Sequence, residues 1–242
     1  MAVSDVNIIH PPLLLSIVKR LISQRGLVFA VHTTEGRSRH ARISFEDERL
    51  YLHCLLDQRR QTRRSLPRGA VTLQVDEVAA AAPPCQVFLL LGWPGSAPRR
   101  VLICLSPDTP YGRQFLLLCT GQRGPCYNGT KLFMVMEEGE PGESVWGGDY
   151  EENNGAGGAA LLPDLDKGEY GKSCMAGDVG LGWYDPALGC GAQFLIITKD
   201  QPGRSLPGVF GKVVGGLEVV AEAAGHRPIT EVTVVDCGVV VD

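Results

Sequence analysis

The sequence contains no apolar stretch long enough to cross a bilayer. Its most apolar early segment, Pro11 to Ile22, is interrupted by Lys19 and Arg20 and is far shorter than the roughly 20 residues that a membrane-spanning helix needs. Nothing near the amino terminus resembles a secretory signal. These two absences predict an intracellular protein, cytoplasmic or nuclear, with no membrane among its partners.

The sequence also lacks the short motifs of common catalytic and cofactor sites. It has no glycine-rich phosphate loop followed by lysine and no serine in a GxSxG turn. No two cysteines stand at CxxC or another metal-ligand spacing. His226 has no nucleophile nearby in the sequence. Because these motifs and spacings are absent, we predict no cofactor and no metal site. The other four histidines are expected at the surface or in helices: His10, His32, His40 and His53.

The eight cysteines mostly lie inside apolar runs, as Cys104 does within Val101 to Leu105. A buried thiol behaves as a small apolar side chain, and disulfides are rare in reducing compartments. The pattern therefore favours buried free thiols over a disulfide framework, in agreement with the intracellular location.

The formal net charge of −4 is distributed unevenly along the chain. Residues 1–83 carry 12 Lys and Arg against 8 Asp and Glu, whereas residues 84–242 carry 11 against 19. Between them runs Ala79 to Pro84, which has the alanine and proline composition of a linker. We therefore predict an N-terminal helical or α/β region over residues 1–83 and a second domain over residues 84–242.

The N-terminal region has patterns typical of both helices and strands. Apolar residues at helical spacing, behind two prolines, predict a first helix that ends near Gly26. The hydroxyl and acidic groups of Ser44 to Asp47 predict the start of a second helix, which would run through Leu50 to Arg64. Three strands are expected beside these helices, at residues 27–32, 41–45 and 70–75.

Four arginines form a basic patch at the end of the second predicted helix, namely Arg59, Arg60, Arg63 and Arg64. Such a patch suits contact with RNA or an acidic partner, but no aromatic platform accompanies it. A solvated helix end is therefore preferred. The leucine-bearing faces of this region must be buried against the second domain, a partner protein or another copy of the chain.

Residues 84–242 contain short apolar strands separated by glycine-rich loops. Two helices interrupt them, near residues 110–120 and 217–224. Many short strands with few helices predict a closed or nearly closed antiparallel barrel. The expected strands lie at residues 87–91, 101–105, 132–136, 194–198, 209–213 and 232–235.

Six blocks of residues in this second part occur in an order that is specific to one family. The blocks are Phe115–Gly121 with Tyr127–Thr130, Gly147–Tyr150, Asn154–Gly158, Gly191–Ile196, Val209–Val213 and Val235–Gly238. In this order they resemble the motifs of the cyclophilins, which are prolyl isomerases. The resemblance implies a mainly β fold, with an eight-stranded antiparallel barrel capped by two helices and, here, an N-terminal α/β appendage.

The resemblance also implies a site for prolyl isomerisation. The barrier to this rotation, roughly 18–20 kcal/mol, comes from amide resonance. Active cyclophilins are understood to lower it with an arginine that hydrogen-bonds the proline nitrogen, a preorganised donor. Met134 stands where that arginine is expected, and a thioether sulfur is only a weak acceptor.

The proline-binding groove that the resemblance implies is altered as well. After a short insertion, Glu143 and Ser144 replace the pocket Phe and Met of the family. The tryptophan of the last wall is missing from residues 200–211, so no cyclosporin binding is expected. The degenerate groove is predicted to comprise Phe133, Met134, Trp146, Trp183, Tyr184, Gln193 and Leu195.

The sequence therefore predicts a non-catalytic cyclophilin-like protein that acts as a protein-binding or scaffolding module. Trp146 and Trp183 either fill the old groove or rebuild it as an anchor for a partner. The alternatives are a weak prolyl isomerase using Gln193 and an RNA-associated factor using the basic patch. A guanidinium from elsewhere in the chain, placed over an open apolar cleft, would contradict the loss of catalysis.

Overall fold

The computed structural model of the chain describes most of its residues. They contain thirteen strands, four α-helices and one 3₁₀ helix. No helix within them combines the length and the apolar character that crossing a membrane requires. The described ranges are 11–25, 27–34, 37–55, 66, 69–79, 81–165, 170–182 and 191–241.

The helices are α1 (Pro11–Arg25), α2 (Val75–Val78), α3 (Pro110–Thr120) and α4 (Leu217–Gly225), and the 3₁₀ helix covers Ile229–Glu231. Helices α1, α3 and α4 confirm the predictions made from the spacing of apolar residues. The start of α3 is fixed by Thr109, whose hydroxyl accepts a hydrogen bond from the backbone N–H of Gly112 at 3.1 Å.

The strands include all those predicted after the linker, and also β8, β9 and β10, which the sequence pattern did not indicate. In the N-terminal region β1, β2 and β4 confirm the three predicted strands. The strands are β1 (Val28–Thr34), β2 (Arg37–Glu46), β3 (Arg49–His53), β4 (Val71–Gln74), β5 (Cys85–Trp93), β6 (Ser96–Leu105), β7 (Met134–Met136), β8 (Ser144–Gly147), β9 (Gly171–Lys172), β10 (Asp178–Leu181), β11 (Phe194–Ile197), β12 (Pro207–Gly215) and β13 (Thr233–Val241).

These strands form one sheet in the order β4-β1-β2-β3-β13-β5-β6-β12-β10-β11-β8-β7, with β9 paired to β12. The sheet is not closed into a barrel, which corrects the prediction. In the described residues, the segment before β7 meets the start of β13 through an isolated bridge between Lys131 and Thr233 and three backbone hydrogen bonds, and β7 itself does not pair with β13. The physical reason is that β13 already pairs with β3 on one edge and with β5 on the other.

The second predicted helix is wrong where the structure describes it, because residues 49–53 form strand β3 in a hairpin with β2. Asp47 and Glu48 have φ angles of 49° and 63°, the positive values that both central residues of a type I′ hairpin turn adopt. The acidic pair is therefore a turn and not a helix start. Residues 50–53 are all buried, as in a strand that is covered on both of its faces.

Strand β3 joins the N-terminal strands to the rest of the sheet. Leu52 pairs with Val239 of β13, and one continuous apolar core contains Val28 and Leu52 together with Phe115 and Val239. His53 lies on β3 and is 6% exposed, so its expected position at the surface or in a helix is wrong. The prolines at the predicted linker, Pro83 and Pro84, precede β5 directly.

Seven cysteines fall in the described residues, and all seven are free thiols, as predicted. Burial raises the pKa of the Cys85 thiol to about 11 and raises that of Cys119 well above its ordinary value, so both remain protonated. Cys190 lies outside the described residues. The reducing compartment stays a prediction.

Candidate functional site

A cleft of about 820 Å³ opens beside strands β7, β8 and β11. Its wall contains a row of three side chains from adjacent strands. Trp146 of β8 pairs with Met134 of β7 on one side and with Leu195 of β11 on the other. Since residues paired across antiparallel strands point to the same face, these three side chains lie next to one another along the cleft.

Trp146 forms part of the wall and does not fill the cleft. Its side chain is half-buried and packs against the buried cluster of Cys174, Leu195 and Ile197. The indole Nε1–H donates a hydrogen bond to the hydroxyl of Ser144 at 3.1 Å. This bond satisfies the polar atom of the ring and leaves the apolar surface toward the cleft.

The opposite side of the cleft is a glycine-rich loop that Asp149 holds in place. The Asp149 carboxylate is fully buried and accepts hydrogen bonds from the backbone N–H groups of Glu151, Glu152, Asn154, Gly155 and Gly157 at 2.9–3.2 Å. Burial favours the neutral acid, but these donors outweigh it and lower the pKa of Asp149. The loop is therefore fixed around a permanent negative charge.

Gln193 and Phe133 complete this side. The Gln193 side-chain amide donates to the carbonyl oxygens of Gly155 and Gly157, both at 2.8 Å, so its polar head is engaged by the protein. The Phe133 ring lies against Gly155, where an added Cβ would come within 2.8 Å of the ring. Glycine at this position lets the loop approach the ring.

Glu143 does not take the place of a pocket residue. It is 7% exposed, and its carboxylate accepts from the Gly139 N–H at 2.6 Å, the Thr198 hydroxyl at 2.7 Å and the Lys199 ammonium at 3.1 Å. Glu143 thereby ties the inserted loop to the end of β11, while Ser144 next to it lines the cleft.

A guanidinium does line the cleft, and the list of site residues drawn from the sequence omitted it. Arg204 Nη1 lies 2.7 Å from both carboxylate oxygens of Glu137 and 2.9 Å from Gln201 Oε1. Arg204 and Glu137 both belong to the cleft lining, and their side chains are 41% and 37% exposed. The only feature of the sequence that indicated Arg204 is that it is the single basic residue of segment 200–211, which stands in place of the last pocket wall of the cyclophilins.

Some of the predicted residues cannot be placed. Trp183 and Tyr184 lie outside the described residues, as do the four arginines of the basic patch, Arg59, Arg60, Arg63 and Arg64. The five other predicted groove residues, Phe133, Met134, Trp146, Gln193 and Leu195, all line the cleft. No group of three or more metal-ligating side chains occurs among the residues described here.

The cleft offers a ligand an apolar surface with the Arg204–Glu137 ion pair at its edge. Its apolar wall includes the thioether of Met134, which donates no hydrogen bond. The thiol of Cys174 also lines it, and burial raises the pKa of this thiol, so it stays protonated. A volume near 820 Å³ is in the usual range for clefts that hold a small molecule or a short peptide, about 300–1,000 Å³.

No family model matches the chain. Over 149 residues it is 31% identical to the NK-tumor recognition proteins of mouse and human, an alignment that covers 52% of this chain and 10% of each relative. The chain therefore spans about a tenth of the length of these curated relatives. A solved structure, the mimivirus cyclophilin, matches with a TM-score of 0.50 and 18% identity over 70% of this chain and 96% of that chain. This likeness shows a cyclophilin-like fold.

Proposed function

We propose that the chain is a member of the cyclophilin family that binds an extended segment of a partner protein in its cleft without isomerising it. The observation that carries this proposal is the row Met134, Trp146 and Leu195 along an open cleft. A half-buried tryptophan in an apolar trough is a favoured anchor for a partner.

The absence of catalysis is supported by the chemistry at Met134. Isomerisation requires a donor that stabilises the twisted imide in preference to the planar one, and the thioether supplies none. Gln193, the donor on which the alternative of a weak isomerase relied, has its amide engaged with two glycine carbonyls. Using it on a substrate would break both of these hydrogen bonds.

A second candidate function, weak prolyl isomerisation, is favoured by Arg204. Its guanidinium lines the same cleft, which is the feature expected to contradict a loss of catalysis. In the structure, however, this guanidinium already donates hydrogen bonds to the Glu137 carboxylate. Because this pair is partly exposed, breaking it costs little, about 1 kcal/mol or less, so a substrate is able to displace Glu137.

Two measurements separate these functions. In a protease-coupled assay on a proline-containing tetrapeptide, we expect the wild type to leave the uncatalysed rate unchanged. A rate that rises with protein concentration and is lost in Arg204→Leu would establish the second candidate in place of the first.

For binding, a random peptide display library is selected on the wild-type protein. We expect enrichment of peptides with proline or large apolar residues, and loss of their binding to Trp146→Ala but not to Trp93→Ala. Trp93 lies at the end of β5, outside the cleft lining, and serves as the matched control. Enriched peptides that bind Trp146→Ala as tightly as the wild type would place the interaction elsewhere and reject the proposal.

A further inference from the structure

A serine, a histidine and an aspartate are linked by two short hydrogen bonds away from the cleft. Ser44 Oγ lies 2.8 Å from His53 Nε2, and His53 Nδ1 lies 2.7 Å from Asp236 Oδ2. These are the contacts that define a nucleophile, a general base and the carboxylate that orients the base. None of the three residues lines the cleft.

The pairing of three neighbouring strands brings these residues onto one face of the sheet. Ser44 of β2 pairs with Tyr51 of β3, and His53 lies two positions beyond Tyr51, on the same face. His53 in turn pairs with Gly238 of β13, and Asp236 is two positions before Gly238. Ser44 and His53 meet within the β2-β3 hairpin, whereas Asp236 is remote in the sequence and meets them because β3 pairs with β13.

The histidine is held in the orientation and tautomer that general base catalysis needs. In the tautomer that carries its proton on Nδ1, His53 donates to Asp236 Oδ2, and Nε2 is left as an acceptor for the Ser44 hydroxyl. The His53 side chain is 7% exposed and that of Asp236 is 22% exposed. The Phe88 ring meets the His53 ring edge to face, with centroids 5.5 Å apart, and fixes its plane.

A cationic donor lies on the same face. The Arg100 guanidinium sits 3.9 Å above the ring of Tyr51, the residue paired with Ser44, and Arg100 Nη2 donates to Glu46 at 2.7 Å. Arg100 Nε is buried and has no hydrogen-bond acceptor in the part of the chain that is described. An unused N–H of a cation on the same face of the sheet as the serine is suited to a developing oxyanion.

Glu46 is an anionic group that competes for the proton of the Ser44 hydroxyl. The hydrogen bond from Arg100, and to a lesser extent one from Ser44, lower the pKa of Glu46. Glu46 therefore stays ionised and held by Arg100. The single proton of the Ser44 hydroxyl faces either Glu46 or His53 Nε2, and nucleophilic attack uses the arrangement in which it faces His53.

We propose that Ser44 is a nucleophile activated by His53, with Asp236 as a positioning residue, and that it accepts acyl groups from small esters. Ser44 Oγ attacks the ester carbonyl carbon while its proton passes to His53 Nε2. The alcohol leaves with that proton, and a C–O bond joins the acyl group to Ser44. Water then attacks the acyl carbon and gives one proton to His53. That proton passes to Ser44 Oγ as the C–O bond to the serine breaks, which releases a carboxylic acid and restores the serine hydroxyl.

The low solvent exposure of Ser44 limits the size of the substrate that can reach it. Ser44 is 8% exposed, so only a compact acyl group, such as acetyl, reaches its oxygen without movement of the strands. The activity is independent of the proposed function of the cleft, because the two sites share no residue.

The test uses two probes on the wild-type chain, diisopropyl fluorophosphate and p-nitrophenyl acetate. The first forms an Oγ–P bond with loss of fluoride, and the second releases p-nitrophenolate as the serine is acylated. We expect one adduct per chain, mapped to Ser44 by peptide mass spectrometry and absent in Ser44→Ala. The matched control is Ser38→Ala on the same strand, whose hydroxyl contacts Thr33 and which should label like the wild type.

His53→Gln should slow labelling by about 100-fold or more, the usual contribution of a general base. The wild-type rate should rise with pH as an imidazole loses its proton, and this dependence should disappear in His53→Gln. Asp236→Asn should both slow labelling and move the pH profile, a change that a purely structural role would not produce.

The proposal is overturned if the folded wild type gives no adduct with either probe, or if Ser44→Ala or His53→Gln labels as fast as the wild type. Circular dichroism establishes that each variant is folded. Should Ser44→Ala fail to fold, the wild type decides alone: an adduct mapped to Ser44 with the imidazole pH profile supports the proposal, and an unlabelled chain rejects it.

Discussion

Asp149 and Gln193 hold the same residue, Gly157, from two sides. The Asp149 carboxylate accepts from the Gly157 N–H at 3.2 Å, and the Gln193 amide donates to the Gly157 carbonyl at 2.8 Å. One residue precedes the glycine-rich loop and the other precedes β11, so the two bonds fix the loop against the sheet. The shape of the cleft on this side depends on that pair.

Asp149→Asn should destabilise the protein strongly. The amide cannot accept five N–H groups as a carboxylate does, and charge-assisted hydrogen bonds contribute more than neutral ones, so we expect a loss of about 3 kcal/mol in the free energy of unfolding. Chemical denaturation measures it. Glu152→Gln, which neutralises an exposed carboxylate of the same loop, is the control and should change the stability by no more than about 0.5 kcal/mol. Equal effects of the two substitutions would show that the buried carboxylate does not organise the loop.

Glu143 should make the stability of the fold depend on pH in the acid range. Burial alone would raise the pKa of Glu143, but the hydrogen bonds from Gly139, Thr198 and Lys199 outweigh it and lower the pKa below its ordinary value of 4.5. A carboxyl with a lowered folded-state pKa stabilises the fold above its unfolded-state pKa, and this contribution is lost as the pH falls through the folded-state pKa.

Glu143→Gln should therefore lower the free energy of unfolding at pH 7 by about 1–3 kcal/mol. Its stability should also fall less steeply than that of the wild type below pH 4.5. Denaturation midpoints measured across the acid range provide the comparison, with Glu140→Gln on the exposed part of the same loop as the control. Parallel curves for Glu143→Gln and the wild type would mean that this carboxyl is not the titrating group.

Gly238→Ala should disrupt the junction between β3 and β13. A Cβ at this position would overlap the carbonyl oxygen of Leu52 and come within 2.7 Å of the Phe88 ring, and backbone does not yield as a side chain does. We expect a loss of at least about 3 kcal/mol, the upper end of overpacking effects. Hydrogen exchange at the β3 amides should increase most. Gly225→Ala, where an added Cβ meets nothing within 4 Å, should be nearly neutral, and a similar loss in both variants would contradict this explanation.

Local patterns predicted most elements of the fold but not the long-range pairing. Six of the strands after the linker, and helices α3 and α4, were predicted from the sequence, whereas β8, β9 and β10 were not. Strand β3 was mistaken for part of a helix because Ser44 to Asp47 has the composition of a helix start as well as of a turn. Nothing in the sequence of either strand indicates that β3 pairs with one edge of β13. The prediction of a closed barrel was therefore wrong.

The sequence by itself determined the chemical types available in the cleft: Met134 in place of an arginine, and Trp146 and Leu195 beside it. These three positions are located by the cyclophilin-like motifs on either side of the inserted loop, which remain recognisable in this sequence. Only the tertiary structure decided that the cleft is open, that Arg204 reaches its rim, and that Ser44, His53 and Asp236 meet. The physical reason is that strand order and loop closure set distances between residues remote in sequence, and such distances are not encoded in any one segment.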